Sequence, residues 1–199
     1  MSWRYNILPS VVLGFHSCDK EIGEKVLNGH EHLRFSTNQY DWLGNGIYFW
    51  EQNPGRALHY AEEVQIGNQK TKGKISTPFV IGAIIDLGNC LSLTEPNSFE
   101  YLKEAYESLQ ELYITSGWDL PSNEGAKRDL DCMVIEHLHN LWDKKYSFDS
   151  VRGAFPEGEP VYEGSMIQDR NHIQICLRKT DKILGYFLPL PVEKYNPYL

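Results

Sequence analysis

The sequence predicts an α+β domain built on two packed sheets, because strand patterns lie towards both ends of the chain and helical patterns occupy the middle. Apolar runs over residues 10–16 and 79–87 have the length of buried strands, and the last quarter contains several more strand patterns. At 199 residues with 41% hydrophobic content, the chain can bury one substantial core. We therefore expect residues 1–199 to form a single domain.

The first strand is predicted to end at His16, where an apolar run gives way to polar residues. A short helix over 19–27 should follow, with Asn28 and Gly29 as its C-terminal cap. A lone His after an apolar run can be an ordinary rim residue or a hydrogen-bonding group for a ligand.

Two glycines at alternate positions precede an aromatic strand in the segment Gly44-Asn45-Gly46-Ile47-Tyr48-Phe49-Trp50. Glycine adopts backbone angles closed to other residues and has no side chain to obstruct approach, so this backbone can turn sharply and pass close to a ligand. Tyr48 then stands where a flat ligand could stack on its ring. Taken alone, the pattern is also typical of a plain turn.

Residues 53–62 are predicted to form the next helix, because Pro54 suits a first turn and apolar residues recur at helical spacing behind it. A polar, lysine-rich loop over 68–76 leads into the strand over 79–87. That strand is almost wholly apolar, so we expect it to be central to the core.

Two helices are predicted in the middle of the chain, the first starting over 95–98 with Ser98 as its N-cap and the second covering 129–142. We expect the apolar stripe of the first to pack in the core; it consists of Phe99, Leu102, Tyr106, Leu109 and Leu112. A loop over 117–127 separates the two helices. His137 and His139 are two positions apart and cannot share a helix face, so we expect no metal pair there.

The last quarter reads as strands over 149–155, 160–162, 172–177 and 183–187. The net charge of −8 and pI near 5.4 give no basic footprint for tight, non-specific nucleic-acid binding. The four scattered cysteines suggest neither a zinc site nor a disulfide framework and fit a reducing cytoplasm. No apolar run approaches the roughly 20 residues that span a bilayer, and no secretory signal is evident, so we expect a cytoplasmic protein without membrane contacts.

Two segments of the chain together resemble the catalytic domains of poly(ADP-ribose) polymerases and diphtheria-toxin-like ADP-ribosyltransferases. They are Gly14-Phe15-His16-Ser17 and the later Gly-x-Gly-Ile-Tyr-Phe segment. In that family the first strand ends in His and the later segment carries a Tyr. The separation of 32 positions between His16 and Tyr48 suits this order. The resemblance implies a split β-sandwich of two packed sheets with flanking helices and a cleft for NAD.

Family members also place a Ser-Ala-x-Tyr helix after this segment. Tyr60 matches the Tyr of that helix, whereas Ala57 replaces its Ser and Ser17 replaces the Gly that follows the family His. The resemblance implies that Tyr48 and Tyr60 sandwich the nicotinamide of NAD. It also implies that the backbone at Ser17 and Gly46 approaches the cofactor, and that His16 bonds the ribose on the adenosine side.

The third catalytic position of the family is a Glu that opens a late strand, and Gln174 occupies it here. The amide of Gln174 can hold the hydroxyls of the nicotinamide ribose but cannot act as a general base near neutral pH. His172 shares a strand face with Gln174 and is either a substitute base or an ordinary packed His. Glu163, on the preceding loop, is another carboxylate that could reach the site.

The resemblance therefore implies a mono-ADP-ribosyltransferase, a glycosyltransferase that uses NAD as substrate, needs no metal and modifies a protein or nucleic acid. A toxin or defence effector, with an inhibitor or antitoxin protein as partner, fits this reading. An NAD glycohydrolase and a non-catalytic nucleotide-binding module of the same fold remain alternatives. A further alternative is the cholera-toxin-like branch, whose elements are loosely imitated by Arg4, Ser36-Thr37 and Glu157-Gly158-Glu159.

Overall fold

The computed structural model describes residues 11–67, 74–125, 127–142 and 147–199. Arg4 and most of the loop expected over 68–76 lie outside these residues. The strands are β1 (Val11–Asp19), β2 (Ile47–Glu51), β3 (Pro78–Asp86), β4 (Cys90–Ser92), β5 (Ser150–Phe155), β6 (His172–Leu177) and β7 (Ile183–Phe187). The helices are α1 (Lys20–Leu27), α2 (Pro54–Gln65), α3 (Pro96–Ser116), α4 (Asp129–Trp142) and α5 (Val192–Tyr195).

The α+β class is confirmed. The described strands are hydrogen-bonded in the single order β4-β5-β6-β2-β1-β3-β7, instead of forming the two separate sheets that the sequence suggested. Within the described ranges, none of the helices is both long and apolar enough to cross a membrane. The chain divides into two compact units, and the expectation of a single domain over 1–199 stays a prediction.

Among the described residues, unit 1 consists of 11–33, 49–67, 74–88 and 180–199. Its frame is the antiparallel pair of β1 and β3, which stays in register from Val11 opposite Asp86 to Asp19 opposite Pro78. β3 also pairs with β7, so β3 is interior, and nearly all of its side chains are buried, as the sequence predicts. Helix α2 packs on β1 and β3 around a buried cluster formed by Phe15, Trp50, Ala57 and Val80.

Unit 2 consists of residues 34–48 and 89–179. Its strands β4 and β5 are parallel, and β5 and β6 are antiparallel. Helices α3 and α4 pack on each other and supply much of the core. That core contains Leu43, Leu91, Ala105, Leu109, Val134, Ile135, Leu138, Phe148, Val151 and Cys176.

Several expected boundaries are confirmed to the residue, among them those of α4, β6 and β7. The predicted end of β1 at His16 is wrong, because the strand runs on to Asp19. Asp19 is the N-cap of α1 and keeps an extended backbone while its side chain accepts the N–H of Glu21. His16 is therefore a mid-strand residue that pairs with Ile81.

The predicted N-cap at Ser98 is also wrong. Glu95 takes the cap position, Pro96 starts α3 in the first turn, and Ser98 is buried inside the helix. Of the predicted core stripe, Phe99 and Leu112 are 44% and 50% exposed. The strand expected over 160–162 reduces to an isolated bridge between Pro160 and Gln168.

Candidate functional site

His16 lies on the face of β1 opposite to helix α2. Its half-buried ring is 5.8 Å from the ring of Phe49, measured between centroids. Side chains alternate along a strand, so Phe15 and Ser17 point to the other face, where Phe15 packs with Ala57. A single flat ring therefore cannot contact His16 and α2 at once.

Ser17 joins β1 to α2 directly. Its buried hydroxyl donates a hydrogen bond to the main-chain carbonyl of Ala57. Ala57 has no exposed surface, so its methyl group contacts protein in this conformation and leaves no room for a ligand beside it. Ser17 and Ala57, two of the three positions at which the sequence departs from the pattern it resembles, are thus hydrogen-bonded to each other.

Tyr60 belongs to an aromatic cluster on α2 and β2. Its ring centroid is 5.1 Å from that of Trp50, and the guanidinium carbon of Arg56 lies 5.7 Å from the Trp50 ring and 5.9 Å from the Tyr60 ring. Arg56 is also 3.5 Å from a carboxylate oxygen of Glu63. Since Tyr60 itself is only half-buried, part of a fixed aromatic surface remains open on this helix.

In unit 2, Tyr48 is bonded to the turn that precedes it. Its hydroxyl donates to the carbonyl of Gly44 at 2.7 Å and accepts the N–H of Leu43 at 2.9 Å. Burial raises the pKa of Tyr48 well above its ordinary value of 10.0, and the neighbouring Cys176 and Asp41 add to the effect. The phenol is therefore neutral and its ring orientation is fixed.

The turn itself is held by an ion pair that the sequence does not reveal. Arg178 contacts Glu136 through both guanidinium NH2 groups, one of them at 3.2 Å. Glu136 also accepts the N–H of Asn45 at 2.7 Å, and Arg178 donates to the Asn45 carbonyl at 3.0 Å. Both polar groups of the central residue of the turn are thus satisfied by one charge pair.

Packing explains both glycines of this turn. Gly44 has φ of 78°, and a Cβ there would lie 2.5 Å from Glu136 Oε1. A Cβ at Gly46 would collide with the thiol of Cys176 and lie 2.7 Å from the carbonyl oxygen of Leu177. The Gly-x-Gly pattern predicts that another group packs closely against this backbone. At the positions of these two Cβ atoms, that group belongs to the protein itself.

Gln174 and His172 point to the same face of β6, as strand alternation predicts. The register places Gln174 opposite Gly153 and His172 opposite Phe155, and the His172 and Phe155 rings are 5.9 Å apart. Gln174 is half-buried. The space beside its cross-strand neighbour Gly153 is occupied by Leu43 and Phe155, since a Cβ at Gly153 would lie 3.1 Å from a side-chain carbon of each.

His172 is packed inside unit 2, with its side chain only 1% exposed. Its Nδ1 lies 2.7 Å from the carbonyl oxygen of Arg170 and 3.5 Å from a carboxylate oxygen of Glu157. A carbonyl oxygen can only accept a hydrogen bond, so Nδ1 of His172 carries the hydrogen. In the neutral ring, Nε2 is then the nitrogen with the free lone pair. Nε2 is buried, which favours the ordinary packed His over a substitute base.

The remaining candidates lie in loops. Glu163 is exposed on the loop between β5 and β6. Ser36 donates to a carboxylate oxygen of Asp41 at 2.6 Å, and the main chain of Glu159 donates to Asp169 at 3.0 Å. The Ser36-Thr37 and Glu157-Gly158-Glu159 elements of the cholera-toxin-like alternative thus take part in local hydrogen bonds within their own loops.

A cavity of about 220 Å³ in unit 2 is lined by His139, Asn140, Ser147, Phe148, Arg178 and Lys179, none of them a predicted site residue. Among the residues that the structure describes, no group of three His, Cys, Asp or Glu side chains could hold a metal ion. No protein-family model and no curated protein matches this sequence, so its own residues carry the functional proposal.

Proposed function

We propose that the protein is an NAD-dependent mono-ADP-ribosyltransferase that transfers one ADP-ribose from NAD to a protein or nucleic-acid acceptor. One observation in unit 2 supports this most: the segment that carries Tyr48 lies against β6, the strand that carries Gln174. Gly46 abuts Cys176, which is two residues beyond Gln174 on the same face of β6. The Tyr48 ring and the Gln174 amide, which stands where the family has its Glu, are therefore on neighbouring segments.

The chemistry assigns a role to each group. Cleavage of the bond between nicotinamide and ribose develops positive, oxocarbenium-like charge on the ribose, so the protein must fix the leaving group and orient the sugar. In this proposal Tyr48 stacks on the nicotinamide, and the amide of Gln174 bonds the ribose hydroxyls. Gln174 cannot take a proton from an acceptor near neutral pH, so transfer stops after one ADP-ribose.

The resemblance also assigns roles to two residues of unit 1. His16 bonds the ribose on the adenosine side, whereas Tyr60 stacks on the nicotinamide. His16 and α2 lie on opposite faces of β1, which is an interior strand, so this part of the proposal rests on the resemblance alone. The hydrogen bond from Ser17 to Ala57 supports a fixed spacing between strand and helix.

The test is incubation of the full chain with NAD labelled in its adenosine half, together with a cell lysate as the source of acceptors. We expect release of nicotinamide and label on a macromolecule. Gln174→Ala should reduce both by about 100-fold, because a group that orients charge in the transition state is lost. The exposed Gln110→Ala serves as the matched control and should leave both unchanged. Absence of both NAD binding and nicotinamide release in the wild-type protein would overturn the proposal.

The product distinguishes transfer from hydrolysis. Free ADP-ribose without any labelled macromolecule would identify an NAD glycohydrolase, in which water is the acceptor. A label on protein or nucleic acid would support a toxin or defence effector that modifies a cellular target.

A non-catalytic nucleotide-binding module is the second candidate, and the burial of His172 favours it, since this histidine is then unable to replace the absent glutamate. Such a module would bind NAD without releasing nicotinamide, and its affinity would be unaffected by Gln174→Ala. Calorimetric titration with NAD, in parallel with the nicotinamide assay, separates this candidate from the enzyme.

A further inference from the structure

The loop over residues 156–171, between β5 and β6, exposes four apolar side chains at its tip. Val161, Tyr162, Met166 and Ile167 are 55%, 66%, 95% and 59% exposed. Together they present an apolar surface on the order of several hundred Å², the size at which an exposed patch on a monomer is often an interaction site. Scattered single exposed residues are common on protein surfaces, whereas these four lie within seven consecutive positions of one loop.

Hydrogen bonds hold this tip in one conformation. The N–H of Val161 donates to the carbonyl of Ile167 at 3.0 Å, and the N–H of Ser165 donates to the carbonyl of Tyr162 at 2.9 Å. The buried Ser165 hydroxyl donates to the Ile167 carbonyl at 3.1 Å and accepts the Ile167 N–H at 3.0 Å. An ordered surface loses little conformational entropy on binding, so its apolar area contributes more fully to affinity.

The base of the loop is tied in the same way. The N–H of Asp169 donates to the carbonyl of Glu159 at 2.9 Å, and the N–H of Arg170 donates to the carbonyl of Glu157 at 3.0 Å. In return, a carboxylate oxygen of Asp169 accepts the N–H of Glu159 at 3.0 Å. The loop is thus an internally bonded projection of unit 2.

The loop that carries the patch is mainly negative, although Glu157 lies 3.5 Å from His172 and Asp169 lies 3.9 Å from Arg170 at its base. Residues 156–171 contain four acidic side chains, Glu157, Glu159, Glu163 and Asp169, against the single basic Arg170, which gives a net charge of −3. Complementary potentials favour specific association and suppress partners of like charge. A nucleic acid or an anionic membrane surface would be repelled, and so would a second copy of this chain, whose net charge is −8.

We propose that the tip of loop 156–171 is a docking surface for a protein partner that binds it through a short segment combining apolar residues with Lys and Arg. The apolar residues of that segment pack against the tip, and its Lys and Arg side chains pair with the exposed Glu159 and Glu163. This interaction does not require NAD, so its test is independent of the transferase proposal.

The test is selection of short random peptides displayed on phage against the full chain, with counter-selection on the double variant Tyr162→Ser/Met166→Ser. We expect enrichment of peptides that combine apolar residues with Lys and Arg. The double variant should bind the selected peptides about tenfold or more weakly, since central, well-exposed anchors carry most of the energy of an interface. Glu163→Lys should weaken binding severalfold, and added salt should weaken the wild-type interaction.

The controls distinguish specific docking from misfolding of the variants and from non-specific binding. Ile114→Ser removes a side chain that is 72% exposed on α3 and should leave peptide affinity unchanged. Circular dichroism and melting temperature should be the same for all these variants, because every altered side chain is exposed. Enrichment of acidic peptides, equal binding to the double variant, or no enrichment at all would overturn the proposal.

Discussion

Arg178 and Glu136 form a two-pronged ion pair that bonds both main-chain polar groups of Asn45. The two side chains come from different elements, Glu136 from α4 and Arg178 from the position directly after β6. They meet at the turn that leads to Tyr48. The conformation of that turn is therefore fixed by charges that lie far from it in the sequence.

Removal of either charge should destabilise the protein, because its partner stays partly buried without compensation. The Arg178 and Glu136 side chains are 17% and 23% exposed. We expect Glu136→Ala to lower the free energy of unfolding by about 2 kcal/mol, a value below that of fully buried pairs because of this partial exposure. Arg178→Lys should be intermediate, since an ammonium cannot contact both carboxylate oxygens in the same plane. Urea denaturation measures both.

The double variant Glu136→Ala/Arg178→Ala provides the decisive comparison. Its loss of stability should be clearly smaller than the sum of the single losses, because each single change already breaks the shared interaction. Glu21→Ala, which breaks an exposed helical ion pair with Lys25, is the matched control and should have a much smaller effect. Strict additivity of the two single changes would contradict this account of the turn.

Gly46 should be intolerant of even a methyl group. Its φ is not in the left-handed region, so any cost comes from the lack of space beside Cys176 and Leu177. Backbone atoms of β6 cannot move aside easily, and we expect Gly46→Ala to destabilise by about 2 kcal/mol or more.

Gly55→Ala in α2 is the control for that substitution, because the nearest atom to its new Cβ would be Asn53 Oδ1 at 3.8 Å. It should be neutral or stabilise by about 0.5 kcal/mol, since alanine favours a helix more than glycine does. Thermal denaturation compares the stability of the Gly46→Ala and Gly55→Ala variants with that of the wild-type protein. A Gly46→Ala protein as stable as Gly55→Ala would show that the turn is not packed as described.

The sequence predicted the elements whose patterns are long or strongly periodic, and missed what depends on distant partners. The apolar period of α4 and the alternation of β6 gave their bounds to the residue. The ion pair of Glu136 and Arg178 could not be inferred, because the two are 42 positions apart and each resembles an ordinary surface charge. Pairing of strands is also a long-range property, so their order was not readable from local alternation.

The site residues predicted from the resemblance stay predictions, and the structure adds their surroundings. Tyr48 and Gln174 were found through the resemblance and lie in unit 2 on neighbouring segments. The sequence could not tell that Ser17 bonds Ala57, or that His172 is buried behind Phe155, since both depend on tertiary contacts. One local signal was available but missed: Asp19 directly before a helical run is a typical N-cap and indicates that β1 extends past His16.

Asp19 should contribute to acid sensitivity. Burial acts to raise its pKa, but hydrogen bonds from the N–H groups of Thr77, Ser76 and Glu21 outweigh it and lower the pKa below 3.8. A carboxylate with a lowered pKa in the folded state stabilises above its ordinary value, and this contribution is lost as the pH falls through the folded value.

Asp19→Asn should remove that contribution. An amide can still accept the N–H of Glu21, but its NH2 group cannot accept those of Ser76 and Thr77 as Oδ2 does at 2.7 and 3.1 Å. We expect the variant to be less stable than wild type at neutral pH and the difference to shrink between about pH 5 and pH 2. Urea titrations across this range measure it, and a constant difference would contradict the proposed ionisation.

Both compact units are assembled from segments that are far apart in the chain, and this limits how the protein can be divided. A cut between Gly88 and Asn89 would leave one fragment without β7 of unit 1 and the other without residues 34–48 of unit 2. The second fragment would keep Gln174 and lose Tyr48. Neither fragment would contain a whole unit, so neither unit could assemble until the two fragments associate.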